Sequence, residues 1–234
     1  PIIFVVLLGV MNWRSLWVVS AIIALTGIPL LKLLLRKERT PQSMANENPS
    51  FGMNGQYWKR FEAIRHPLFW CMVPTLLGPP AFNTAFFFHQ VHFAELKGIT
   101  HIALVAQFPL YTAVTVGAML LSGWGLDKLG TARLLPFIQV PIIAAFILFG
   151  LAEGTLMVTL GFVMLGLTAG AGMTLPTAFW AEFYGTKFIG SIKALATAVM
   201  VLGSAIGPGV TGVLIDYGIG LETQFYWIAG YFAL

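Results

Sequence analysis

Long apolar runs separated by short polar turns make up most of this sequence. A helix needs about 20 apolar residues to cross the roughly 30 Å hydrocarbon core of a bilayer, and six of the runs approach or exceed that length. Two shorter runs, 1–11 and 225–234, lie at the ends. The six complete runs are 16–35, 67–91, 102–122, 134–151, 156–180 and 192–215. The pattern therefore predicts an all-α, polytopic integral membrane protein.

The composition supports a lipid environment. Of the residues, 58% are hydrophobic and 9% are charged, and the mean hydropathy is +0.84, whereas about a quarter of a soluble domain is charged. The net charge of +4 does not point to nucleic acid, because the basic residues lie in turns and form no basic face with interleaved aromatic side chains. Carboxylates and cysteine do not stand at metal-ligand spacing, and no cofactor is predicted.

One polar segment interrupts the apolar pattern. Residues 36–65 hold nine of the 22 charged residues, are rich in Pro, Asn, Ser and Gly, and lack apolar periodicity apart from a short amphipathic end at 57–64. We interpret this segment as a linker. It divides the chain into 1–35, the linker 36–65, and a helical bundle over 66–234.

Basic residues lie mainly in alternate connections between the runs. Eleven of them fall on the linker side, and two, Arg14 and Lys97, fall on the other. Basic loops stay in the cytoplasm as a rule. The asymmetry thus predicts that the linker is cytoplasmic and, for a bacterial protein, that the chain lies in the inner membrane.

A charged turn joins the runs 102–122 and 134–151. Its glycines are Gly123 and Gly130, and its charges are Asp127, Lys128 and Arg133. The pattern Gly-x-x-x-Asp-Lys-x-Gly-x-x-Arg resembles the loop motif of major facilitator superfamily transporters, found between their second and third helices and more loosely between the eighth and ninth.

That resemblance implies an assignment for every run. The chain would correspond to the end of helix five, helix six, the central loop and helices seven to twelve of a twelve-helix carrier, truncated at both ends. A monomeric secondary transporter working by alternating access is implied, with a small solute and, in some branches, a coupling proton as partners. The charged turn, with Glu182 at the end of helix ten, would gate the helix ends.

Candidate solute contacts lie on helices interrupted by glycine and proline, because carriers built from repeats place their sites there. In this chain those interruptions are Gly78-Pro79-Pro80 and the stretch from Gly166 to Pro176. Polar residues that share a helix face near these interruptions are Asn83 with Gln90 and Gln107 with Tyr111, while Thr174, Thr177 and Trp180 give the run 156–180 a lightly polar, aromatic edge. Each could equally hydrogen-bond a neighbouring helix.

Two further features of the last complete runs leave alternatives open. Lys193 could contact an anionic solute, or its side chain could extend to the membrane surface. The glycines from Gly203 to Gly212, with Pro208, are similar to a motif of proton-driven exporters, but close helix packing by small residues explains them as well. His89 and His92 are predicted close to the outer interface rather than the midplane, a position that favours a solvated imidazole over one that couples protons to transport.

A transporter is therefore the predicted function, moving a small solute that could be an organic anion. The alternatives are a transport-inactive sensor with the same fold, or a proton-driven drug or metabolite exporter. An enzyme is not predicted, since ionisable groups are almost absent from the interiors of the runs.

Overall fold

The structure, a computed structural model, describes residues 7, 9–36 and 49–234. Most of the short run 1–11 and residues 37–48 of the predicted linker lie outside the described residues. The chain separates into two compact units, Pro1–Pro49 and Ser50–Leu234. The second unit therefore includes the last part of the predicted linker as well as the bundle.

Helix α1, Trp13–Leu34, is the main described element of the first unit. Its 22 residues give a length of about 33 Å. The Asn12 side chain begins the helix by accepting a hydrogen bond from the backbone N–H of Arg14 at 3.4 Å. Lys32 lies in the last turn, where a cation interacts favourably with the helix dipole.

The second unit is a helical bundle, and its described regular structure consists of helices and two short 3-10 turns, Met53–Gly55 and Leu135–Phe137. The helices are α2 Arg60–Arg65, α3 Pro67–Phe88, α4 Gln90–Leu96, α5 His101–Val105, α6 Phe108–Leu129, α7 Thr131–Leu134, α8 Val140–Leu151, α9 Thr155–Tyr184, α10 Ile189–Asp216 and α11 Leu221–Ala233. The predicted all-α fold is confirmed over the described residues.

Five stretches of the described chain are long and apolar enough to cross a membrane: Trp13–Leu34, His101–Leu129, Thr131–Leu151, Thr155–Tyr184 and Ile189–Asp216. Helix α3 has a spanning length of 22 residues but is not among them. Its three internal prolines and its asparagine lower its hydropathy. Instead of breaking at Gly78-Pro79-Pro80, α3 continues to Phe88 and is interrupted at His89.

The long helices alternate in direction, so the bundle has two ends. We call one end the linker face, where α3 and α10 begin and where α6 and α9 end at Gly130 and Gly185. Both glycines have a positive φ, 76° and 79°, which other residues rarely adopt. The opposite end, the far face, carries the turns at His89, Ala152 and Gly218.

Glycines bring the helices together in two tight pairs, α3 with α10 and α6 with α9. A Cβ at Gly203 would lie 2.5 Å from the Leu77 carbonyl oxygen, and one at Gly207 would collide with the Ala81 carbonyl. Likewise, a Cβ at Gly170 would collide with the Thr115 carbonyl. Close packing therefore accounts for Gly203 and Gly207 of the exporter-like pattern.

Aromatic side chains fill two cores, one towards each face. Towards the far face, Phe86 stacks on Phe149 with ring centroids 4.4 Å apart, and Phe162 packs edge-on against both. Towards the linker face, Trp180 lies 5.6 Å from Phe69 and 5.4 Å from Tyr184. These cores fix the ends of the two helix pairs relative to each other.

The segment Ser50–Trp58, which we call the strap, lies across the turn between α9 and α10. The backbone N–H of Ser50 donates to Thr186 Oγ1 at 2.9 Å, and the N–H of Thr186 donates back to the Ser50 carbonyl at 3.2 Å. The Lys187 ammonium lies 4.5 Å from the centroid of the Tyr57 ring. This end of the predicted linker is thus part of the folded bundle.

At the far face, Lys97 connects three helices. Its side chain is only 5% exposed, and its Nζ donates to the Gly150 carbonyl at 2.8 Å and forms an ion pair with Glu222. We expect Lys97→Met to lower the free energy of unfolding by about 2 kcal/mol, because both interactions of a buried cation disappear. Glu222→Gln should cost less, since the Glu222 side chain is 52% exposed. Thermal unfolding of the purified protein measures both changes, and equal effects would contradict this ranking.

Candidate functional site

A cavity of about 420 Å³ lies between the two helix pairs. Helices α3 and α10 form one wall, and α6 and α9 form the other. Most of the lining is apolar. The lining residues are Leu76, Pro79, Pro80, Asn83, Tyr111, Thr168, Ala169, Gly172, Met173, Pro176, Thr177, Trp180, Lys193, Ala196, Thr197 and Met200.

The lining follows helical periodicity on three helices. On α3, Leu76, Pro79, Pro80 and Asn83 follow the spacing i, i+3, i+4, i+7, and the lining residues from Lys193 to Met200 on α10 repeat it. On α9 the lining residues from Thr168 to Trp180 recur every four residues. One face of each helix therefore points into the same cavity, and this shared spacing is the signal that could have identified Thr168 and Met200 from the sequence.

The cavity extends along the bundle axis rather than across it. Lys193 is the fifth residue of α10 and Trp180 the fifth from the end of α9, so each lies about 6 Å from its helix end at the linker face. Asn83 and Thr168 lie about 24 Å from the same face, and Tyr111 about 27 Å. The cavity thus has a shallow end at Lys193 and a deep end at Asn83.

Two lining residues carry polar groups that have no hydrogen-bond or ion-pair partner among the described residues. Lys193 is partly buried and is the one charged residue in the lining, and it makes no hydrogen bond or ion pair with any described residue. Asn83 Oδ1 is buried and has no hydrogen-bond partner in the described chain. Burying an amide oxygen without a hydrogen bond costs free energy. A bound molecule that donates a hydrogen bond to Asn83 Oδ1 would therefore be stabilised in the cavity.

The structure brings together four of the predicted contacts, Asn83, Tyr111, Trp180 and Lys193, and places the other three elsewhere. Gln107 lies before α6, where its Oε1 accepts from Thr159 Oγ1 at 3.0 Å. Gln90 begins α4 beyond the His89 interruption and does not line the cavity. Thr174 faces the linker-face groove described next.

The charged turn lies at a second opening, a groove of about 570 Å³ on the linker face. Gly123, Asp127, Gly130 and Glu182 line it. Asp127 forms no hydrogen bond or ion pair within the described chain, so it does not pair there with the neighbouring Lys128 or Arg133. Lys128 and Arg133 are exposed and lie outside the groove lining.

His89 is partly buried rather than simply solvated. Its Nε2 lies 3.1 Å from the Pro208 carbonyl oxygen, which joins the end of α3 to α10. His89 lines a small separate cavity of about 10 Å³ and does not line the large one. Its contact is therefore between helices. In the described residues, no group of three or more His, Cys, Asp or Glu side chains could hold a metal ion.

Comparison with protein families matches residues 1–208 to the Major Facilitator Superfamily. A comparison with curated proteins gave no match. The family match covers most of the chain, including all of the cavity lining and the charged turn. This chain belongs to the Major Facilitator Superfamily, a family of membrane transporters, and it is an integral membrane protein.

Proposed function

We propose that this chain belongs to a secondary active carrier that moves a small organic anion by alternating access, with the cavity between the two helix pairs as its solute site. The observation that carries the proposal is Lys193, the one charge among the described residues that line this mostly apolar cavity. A partly buried cation with no partner among those residues attracts an anion more strongly than a fully solvated cation does.

The polarity of the lining supports a solute with an apolar body. Trp180 and Met200 offer apolar contact, while Asn83 and Thr168 supply hydrogen-bonding groups. Binding sites for small molecules combine such an apolar wall with a few polar groups that fix orientation. We further propose that the linker face is cytoplasmic, since it carries most of the basic residues. The carrier is proposed to act as a monomer in a bacterial inner membrane.

Transport of labelled carboxylates into proteoliposomes that contain the full-length carrier tests this proposal. We expect uptake of a small monocarboxylate above that of empty liposomes. Lys193→Gln should reduce kcat/KM about tenfold, because loss of one charge-assisted contact of about 1.4 kcal/mol corresponds to that factor.

Lys59→Gln is the matched control, because it removes the same charge from an exposed position outside the cavity and outside the charged turn. Its uptake should equal that of the unmodified carrier. Equal losses in the two variants would mean that the general charge of the linker face, rather than the cavity, governs uptake. Absence of uptake for every carboxylate, with a correctly folded carrier, would contradict the proposal.

A further inference from the structure

Lys193, the one cation in the described cavity lining, and the buried amide of Asn83 lie too far apart to bind one small solute together. Lys193 lies about 6 Å from the linker-face end of its helix, and Asn83 lies about 24 Å from the corresponding end of α3. A depth difference of about 18 Å exceeds the reach of an extended lysine side chain, about 6 Å, plus a solute of a few carbon atoms.

The residues around Lys193 form a coherent small site of their own. Thr197 lies one turn deeper on the same face of α10. Trp180 lies at the same depth as Lys193 on the opposite wall and is 2% exposed, held by ring contacts with Phe69 and Tyr184. A cation, a hydroxyl and a fixed aromatic side chain thus line the shallow end of the cavity together.

We propose that Lys193, Thr197 and Trp180 form a vestibule, an anion-binding subsite distinct from the deep site at Asn83, Thr168 and Tyr111. This proposal rests on the proposed transport function. An organic anion from the linker face first meets Lys193, and then leaves it to reach the deep site. The vestibule therefore raises the local concentration of anions and selects solutes by charge, whereas the deep site selects them by hydrogen bonding.

The charge selectivity of the vestibule can be measured without knowing the solute. Cys71 is the single cysteine, so Cys71→Ala removes the native thiol. In that background, Thr197→Cys reports on the vestibule and Thr168→Cys on the deep end. The carrier is placed in nanodiscs of neutral phosphatidylcholine, which leave both faces open. Each thiol is then labelled with a methanethiosulfonate bearing a sulfonate and, separately, with one bearing a quaternary ammonium.

We expect the reagent with the sulfonate to react faster at position 197. Lys193→Gln should lower the ratio of the two rates there about fivefold, and Lys59→Gln, at an exposed position outside the cavity, should leave it unchanged. At position 168 the change caused by Lys193→Gln should be less than twofold, because potentials decay over a Debye length of about 10 Å in 0.1 M salt.

Three results would contradict the proposal of a vestibule. The ratio at position 197 could stay unchanged in Lys193→Gln, it could change equally at positions 197 and 168, or the thiol at 197 could react with neither reagent. Labelling does not require transport, so these results are separate from a failure of carboxylate uptake. A vestibule with normal charge selectivity but no uptake would reject the proposed transport function alone.

Discussion

Asn83→Ala is expected to raise the apparent Michaelis constant for solute about tenfold, or to abolish uptake, in carriers present in the membrane at normal amounts. Asn83 lines the deep end of the cavity, and its buried Oδ1 has no partner among the described residues. A hydrogen bond from the solute would satisfy that atom, and its loss costs about 1.4 kcal/mol, which corresponds to a factor of ten in affinity.

His89→Ala is the comparison for this measurement, since His89 lies six residues further along the chain and contacts Pro208 rather than the cavity. Its effect on the Michaelis constant should be smaller than that of Asn83→Ala. It should instead lower thermal stability, because the link between α3 and α10 is lost. A larger kinetic effect for His89→Ala, at equal abundance, would place the solute towards the far face and contradict the proposed deep site.

Gly207→Leu is expected to prevent accumulation of the folded carrier. A side chain at this position collides with the Ala81 backbone, where α3 and α10 are closest. Backbone atoms cannot move aside as a flexible side chain can, so the helix pair must separate. Overpacking of this kind costs about 3 kcal/mol or more, a large share of the stability of a typical domain.

Gly209→Leu is the matched control, since a Cβ there meets no atom within 4 Å. Abundance in the membrane fraction and size-exclusion profiles after solubilisation measure both variants. Gly209→Leu should resemble the unmodified carrier. Normal accumulation of Gly207→Leu would show that the two helices do not pack as closely as described.

The sequence predicted the helical membrane fold because apolar runs of spanning length leave few alternatives. It was less informative about the ends of the elements. Proline inside α3 suggested a break at Gly78-Pro79-Pro80, yet packing of neighbouring helices keeps the helix continuous to Phe88. The strap was also unexpected, since its hydrogen bonds with Thr186 connect residues 136 positions apart and leave no local pattern.

The candidate site was predictable in part. Asn83, Tyr111, Trp180 and Lys193 line one cavity, although their role as solute contacts stays a prediction. Gln90 was grouped with Asn83 by assuming an uninterrupted helix, whereas it begins a separate helix after His89 and does not line the cavity. Gln107 and its partner Thr159 lie 52 positions apart, so the residues next to Gln107 gave no sign that its amide oxygen accepts a hydrogen bond from Thr159.

The close packing at glycines within each helix pair has a consequence for how the two pairs can move relative to each other. Backbone meets backbone within each pair, whereas α9 and α10 share few contacts across the cavity. Each pair is therefore stiff within itself, and any rotation of one pair against the other has to be accommodated in the aromatic cores near the two faces, where Phe69 meets Trp180 and Phe86 meets Phe162. A small rotation would widen the cavity at one end and narrow it at the other without breaking a single contact inside either pair. The distance between positions 83 and 111, one in each helix pair, would report that rotation directly.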